Sequence, residues 1–305
     1  MAPGLPPEIT VFERGWLSAN NVLLLGREQA ALVDSGYCTH AAQTLALVGG
    51  ALGGRPLDRL LNTHLHSDHC GGNAALQQRY PLLETLIPPG QAAHVDAWDT
   101  EALSYRPTGQ QCPRFKYDAL LRPGAEVVLA DRAWQIHAAP GHDPDATMLF
   151  EPMARLLLSG DALWESGFGV VFPELEGQSA FDQVAETLDV IDALQPEAVV
   201  PGHGAVFSDV VDALARARRR LDAFVQNPRR HALHAAKVLL KYKLLELQRV
   251  ARVDFERWAR QTPYFEIVRH RYFEDADAAA WFEQLTQELV RAGAARLEGG
   301  FVLNA

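Results

Sequence analysis

Short apolar runs alternate with longer amphipathic stretches through the first two thirds of the chain. Ile9–Phe12, Asn21–Leu25 and Ala30–Asp34 are β-branched or aliphatic and bounded by polar or glycine positions, which predicts consecutive strands. Ala41–Leu52 has helical spacing and runs into Gly53-Gly54, a helix stop. Arg59–Asn62 reads as a buried strand before the polar string Thr63–Gly72 and a helix over Asn73–Arg79. Further strands are predicted at Glu126–Leu129, Trp134–Ala138, Thr147–Phe150, Leu156–Ser159 and Ala198–Val200, with helices over Ser179–Leu194 and Ser208–Gln226. This order of strands and helices predicts an α/β fold of sheets packed on each other beneath covering helices.

Two stretches break the rhythm. Pro88–Pro123 carries Trp98, Tyr105, Phe115 and Tyr117 among proline and glycine, and suits an irregular helical excursion that overhangs a site. Gln226-Asn227-Pro228-Arg229-Arg230 reads as a hinge, beyond which His231–Val250, Asp254–Gln261 and Ala276–Ala292 are helical and 296–303 is a hairpin around Gly299-Gly300. The expected division is a domain over residues 1–226 and a smaller, mainly helical one over 227–305.

The 305 residues are 48% hydrophobic and 22% charged, ample for a core and far from the composition of disordered chains. A net charge of −10 speaks against a protein that grips nucleic acid over its whole surface. Cys38, Cys70 and Cys112 are too few and too scattered for a disulfide framework, which fits a reducing compartment. The N-terminus has no basic leader or apolar run, and no stretch approaches the roughly twenty apolar residues of a membrane span, so a cytoplasmic protein without a membrane partner is expected.

Eleven histidines are present. His64, His66 and His69 crowd together with Asp68 just after a buried strand. Read as extended backbone, residues two apart share a side, so His64, His66 and Asp68 converge while His69 faces a neighbouring volume. That suits two adjacent metal ions. Each needs about three or four donors at roughly 2 Å, so four donors cannot complete two shells. Pro140-Gly141-His142, Ser159-Gly160-Asp161 and Pro201-Gly202-His203-Gly204 are the candidates for the rest, each following an apolar run beside a glycine that lets the backbone turn sharply.

Thr63–Gly72, with His142, Asp161 and His203 in that order, resembles the metallo-β-lactamase superfamily of binuclear metallohydrolases over roughly residues 8–226. The resemblance implies a four-layer αβ/βα sandwich with the site along one edge of the paired sheets. It implies His64, His66 and His142 on a first metal, Asp68, His69 and His203 on a second, and Asp161 bridging both. The implied cofactors are two divalent cations, zinc foremost, with iron and manganese also suited to these donors. Asp34 matches an acidic position of the family expected to orient a ligand histidine. Penicillin-degrading members mostly lack the second residue of the Asp68-His69 pair, and many carry cysteine in place of Asp161, which argues against a β-lactamase. Thr63–Asn73 is similar to glyoxalase II-like thioesterases, lactonases and processing ribonucleases; persulfide dioxygenases also look similar but use a single iron.

Two such ions lower the pKa of a shared water from about 15.7 toward roughly 7. The function implied is a metal-dependent hydrolase in which a metal-bridged hydroxide attacks a small ester, thioester or lactone, with Asp68 able to accept the nucleophile's hydrogen and the Pro88–Pro123 excursion lidding the acyl group. Arg216–Arg260 gathers thirteen Lys and Arg against four acids, about +9, which leaves about −19 elsewhere. Such a run is a solvated helix face, a dock for an anionic thiol carrier such as glutathione or coenzyme A, or a seat for an RNA backbone. The tail, with Lys237–Glu246, resembles the winged-helix-like tail of some superfamily members, a ribonuclease branch among them. A metal-dependent ribonuclease or phosphodiesterase holding RNA on the tail is therefore the alternative, and an inactive metal-binding scaffold the third reading. Cys70 reads as a small packed residue, and His231 with His234 as a solvated pair on one helix face. His40, His94, His137 and His270 carry no signal.

Overall fold

The first strands are β1 (Ile9–Phe12), β2 (Asn21–Leu25), β3 (Ala30–Val33) and β4 (Arg59–Leu61). Alternate residues along them face opposite sides, and both sides are buried. Leu23, Leu32 and Leu60 pack on one side against Val48, Leu52 and Leu76. Val22, Leu24, Val33 and Leu61 pack on the other with Trp134, Ile136, Leu149 and Leu158. A sheet with two apolar faces has to be covered twice.

The computed structural model describes residues 4–305 and shows both covers. Helices α1 (Ala41–Leu52) and α3 (Asn73–Arg79) lie outside the first sheet, and a helical turn, α2 (Ser67–Cys70), stands between them in sequence. The sheet continues through β5 (Glu84–Ile87) and, after α4 (Ala92–Ala97) and α5 (Tyr105–Thr108), ends at β6 (Ala119–Leu120), in the order β1-β2-β3-β4-β5-β6. Neither β5 nor β6 is expected from the sequence; they pair parallel to the preceding strands, with Leu61 opposite Leu86 and Ile87 opposite Leu120.

The second sheet contains β7 (Glu126–Leu129), β8 (Arg132–Ala138), β9 (Thr147–Glu151), β10 (Leu156–Gly160) and, after α6 (Phe172–Glu176) and α7 (Phe181–Leu194), β11 (Ala198–Pro201), in the order β11-β10-β9-β8-β7. Its outer face, with Met148, Phe150, Leu157 and Val199, takes Val184 and Leu188 of α7 and Leu214 and Leu221 of α8 (Val210–Gln226). The result is the four-layer αβ/βα sandwich. Trp134 is fully buried between the sheets, where truncating an aromatic side chain costs about 3–5 kcal/mol.

At the expected hinge, α8 gives way to α9 (Pro228–Leu247) through Asn227 alone, whose side chain accepts a hydrogen bond from Arg230 N while Pro228 takes the first helical position. The helix expected to run to Val250 stops at Leu247: Gln248 adopts φ 61°, and β12 (Arg249–Ala251) pairs Val250 with Val302. Then follow α10 (Arg252–Gln261), α11 (Pro263–Tyr272), α12 (Ala278–Arg291), β13 (Ala295–Glu298) and β14 (Phe301–Asn304), with a small antiparallel sheet ordered β12-β14-β13. Helix α11 adds to the three helices expected. The tail's core takes in Val170 and Leu175 from the sandwich side, so tail and sandwich share buried apolar surface. Among the described residues no helix is long and apolar enough to cross a membrane.

Candidate metal centre

The chain leaves β4 through Asn62-Thr63, and His64 and His66 then face one another, with His64 Nε2 3.1 Å from His66 Nδ1. His142, from the loop after β8, brings its Nε2 within 2.8 Å of the same His66 nitrogen. The alternation expected for Asp68 does not hold, because residues 67–70 form the helical turn α2 rather than extended backbone. The turn groups Asp68 with His69 and His203: Asp68 Oδ2 lies 3.1 Å from His203 Nε2. Asp161, just past β10, stands between the two groups, 3.4 Å from His69 Nε2 through Oδ1 and 3.4 Å from His142 Nε2 through Oδ2. Donor atoms within 4.8 Å of one another form three overlapping sets: His64, His66 and His142; His64, His69 and Asp161; Asp68, His69 and His203. All seven residues singled out in the sequence are thus brought together.

These donors fit divalent cations. Nitrogens bound at about 2.0–2.1 Å on a tetrahedral ion lie roughly 3.3 Å apart, close to the separations found. His69 Nε2 is buried and makes no hydrogen bond of good geometry among the described residues, its charge partner Asp161 Oδ1 lying 3.4 Å away, a state that is costly for a polar atom unless something else satisfies it. The backbone also leaves space for the donors. A Cβ at Gly202 would stand 2.2 Å from Asp161 Oδ1, and one at Gly169 would stand 2.4 Å from His142 Nδ1.

The far ring nitrogens are pinned. His69 Nδ1 donates to Asp34 Oδ2 at 2.7 Å, and Asp34 in turn accepts from Thr63 N at 2.9 Å and Thr63 Oγ1 at 2.8 Å. Asp34 does this from a left-handed backbone, φ 58°. His142 Nδ1 donates to Val170 O, and His203 Nδ1 to Gly15 O at 3.2 Å. Pinning one nitrogen fixes which lone pair the other presents.

The two halves differ in charge. Burial pushes His66 and His142 down to about 4 and His64 well below the usual histidine range, with neighbouring histidines adding to the effect on His64 and His142. They stay neutral, with lone pairs free to donate. In the other half burial opposes charge but loses: Asp34 and Asp161 raise His69, Asp161 and Asp68 raise His203, and those histidines hold Asp68 and Asp161 below the usual carboxylate range.

A cavity of about 450 Å³ runs from His66, Asp68 and His203 to α9. The excursion after β5 does overhang it, but through Ser104, Thr108 and Gln110. Trp98, Tyr105 and Phe115 instead turn inward and form their own apolar cluster with Leu65, Ile87 and Val95, because a segment this far from the main core must bury its aromatics locally. The rings that do meet the site are not among those singled out in the sequence. Trp16, 53% exposed, stacks on His203 at 5.4 Å and 9°; Trp164 meets the same ring edge-on, and Phe172 packs on His66. Asp143, buried and raised by burial, lies 3.8 Å from His66 Nε2 and escapes the sequence reading as well, although it directly follows His142.

Much of the basic run is spent internally. Arg218, Lys237, Lys243, Arg252, Arg257 and Arg260 each pair with an acid, three of them using Asp189, Asp192, Glu283 or Glu288 from outside the run. Lys241 donates to Ala294 O, Asn304 Oδ1 and Ala305 O. His231 and His234 are not solvated: His231 is 1% exposed and accepts from Val171 N, and His234 accepts from Arg220 at 2.7 Å.

A four-layer αβ/βα sandwich with a histidine–aspartate cluster at the strand ends defines a class of fold that presents metal-donor side chains along one edge of its paired sheets. The family described as the Metallo-beta-lactamase superfamily matches residues 14–203, and the chain belongs to it. It is 35% identical over 161 residues to the hydroxyacylglutathione hydrolase of Anaeromyxobacter dehalogenans (strain 2CP-C), covering 52% of each chain, so it spans about half that relative's length. The human acyl-coenzyme A thioesterase MBLAC2 is 23% identical over 207 residues, 62% of this chain and 74% of that one. A solved metallo-beta-lactamase family protein from Thermus thermophilus superposes with TM-score 0.58 at 20% identity over 99% of this chain and 100% of its own, a likeness of fold.

Proposed function

We propose that this chain is a binuclear metal-dependent hydrolase of small thioesters, with esters and lactones as chemical neighbours of that substrate. The observation that carries the reading is the continuity of one cavity from both ends of the donor cluster, His66 and His142 at one and Asp68 and His203 at the other, to α9. His64, His66 and His142 would hold one cation, Asp68, His69 and His203 the other, and Asp161 both. Zinc suits these donors, as iron and manganese do. Bound there, the cations supply Lewis acidity and an acidified water. The chain's own residues do the rest. Asp68, kept anionic, offers a carboxylate oxygen for the water's proton, and Trp16, Trp164 and Phe172 exclude solvent from the acyl side.

Arg220 supplies the handle for an anionic thiol carrier such as glutathione or coenzyme A. Of the cations lining the cavity, Lys237 is paired with Glu288 and Lys241 is saturated by oxygen acceptors, whereas Arg220 has no acid within 4.0 Å among the described residues. Phe168 and Phe224 flank its guanidinium at 5.5 and 5.4 Å. The division at residues 226–227 belongs to the same reading, with the tail as a winged-helix-like wall of a small-molecule pocket and the setting cytoplasmic. Assays of the zinc-loaded protein on thioester, lactone and phosphodiester panels test it: thioester turnover is expected, and phosphodiester turnover alone would favour the ribonuclease alternative.

A further inference from the structure

The three cysteines, far apart in sequence, gather at one place. Cys70 closes the helical turn that carries Asp68 and His69; it is fully buried, and its sulfur lies 3.8 Å from Cys112 Sγ and 3.2 Å from the Tyr105 hydroxyl. Cys112 is only partly buried and shares a surface depression with Cys38, so a small solute reaches it from outside while Cys70 lies beneath. Cys112 belongs to the irregular stretch between α5 and β6, and Gln110 in that stretch both lines the cavity and accepts a hydrogen bond from Ser67 of α2.

We propose that Cys70 and Cys112 form a reversible oxidation site at which a peroxide links the excursion to the α2 turn. The Cys112 sulfur bonds to one peroxide oxygen as the O–O bond breaks, giving a sulfenic acid, and the other oxygen leaves as the first water, the thiol proton completing the balance. The Cys70 sulfur then attacks Cys112 Sγ, the sulfenic oxygen departs with the Cys70 proton as the second water, and the S–S bond forms. Two thiols and one peroxide thus give one disulfide and two waters. Closing from 3.8 Å to a bond of about 2.05 Å asks for a shift of under 2 Å, which the irregular segment can take up more readily than the packed turn. Linkage ties the segment that carries Gln110 to the turn that carries Ser67 and so holds that side of the cavity mouth in place. Cys38, whose sulfur donates to Gln111 O at 3.4 Å, is the competing partner.

The test needs no hydrolase activity. The folded protein is treated with a few equivalents of hydrogen peroxide, alkylated, digested and mapped, alongside the variants Cys38→Ser and Cys112→Ser. The expected result is a Cys70–Cys112 crosslink in the wild type and in Cys38→Ser, none in Cys112→Ser, and three free thiols again after dithiothreitol. Three thiols left unlinked by peroxide, a Cys38–Cys112 crosslink, or Cys112 carried irreversibly to sulfinic acid would each overturn the proposal.

Discussion

His69 donates from Nδ1 to Asp34 Oδ2 at 2.7 Å while its buried Nε2, 3.4 Å from Asp161 Oδ1, makes no hydrogen bond of good geometry among the described residues. One nitrogen is held so that the other can be aimed. The same carboxylate fixes Thr63, whose hydroxyl lies 3.2 Å from His64 Nδ1, so Asp34 reaches a donor in each half of the site.

Asp34→Asn keeps a side chain that tolerates the left-handed backbone but removes the charge behind His69. Metal affinity, measured by competition with a chromophoric chelator, is expected to fall by about 10–100-fold with the fold retained by circular dichroism. Unchanged affinity would remove Asp34 from the account.

Gly202→Ala sets a methyl group against Asp161 Oδ1 and His69 Cε1. The side chains that must move are the donors themselves. Metal stoichiometry by elemental analysis should therefore drop while the unfolding transition shifts little, and full metal content in the alanine variant would show that the cluster is looser than described.

Acid sensitivity has an identifiable contributor in His231. Burial, then Arg220, pushes its ring down to about 4, against roughly 6.5 in an unfolded chain. The unfolded state thus binds more protons below pH 6.5, so stability is complete above that value and is lost as pH falls toward 4. The contribution lost between pH 7 and pH 5 is about 2 kcal/mol. Urea midpoints of wild type and His231→Gln at the two pH values check this: the variant should lose less on acidification, and equal losses would contradict it.

The seven donors are legible because four sit in one short string and three follow apolar runs beside glycines, so spacing and residue type speak together. The partition among them is half legible. Alternation cannot see that Ser67–Cys70 winds into a helical turn, since four residues are too few for a period. Strands β5 and β6 stay hidden because their pairing is long-range and neither alternates visibly. Trp98 and Phe115 mislead as lid residues because a sequence shows an aromatic but not which side of a loop it faces. The meeting of Cys70 with Cys112, and of Arg220 with the cavity, depends on tertiary packing that no local pattern records.

Arg220→Gln separates substrate recognition from chemistry. With a thioester whose thiol part carries carboxylates, kcat/KM should fall by about tenfold or more, the effect of losing a charge-assisted hydrogen bond. With a neutral thioester of the same acyl group it should hold. Equal losses on both substrates would make Arg220 a structural residue only.

The most direct measurement is thioester hydrolysis by chelator-stripped protein as zinc is titrated back. Activity that rises to a plateau at two equivalents per chain, and that is absent in His66→Ala and Asp161→Ala at the same loading, is the predicted result. Turnover that saturates at one equivalent, or that survives in the stripped protein, would contradict a binuclear centre built on these seven residues.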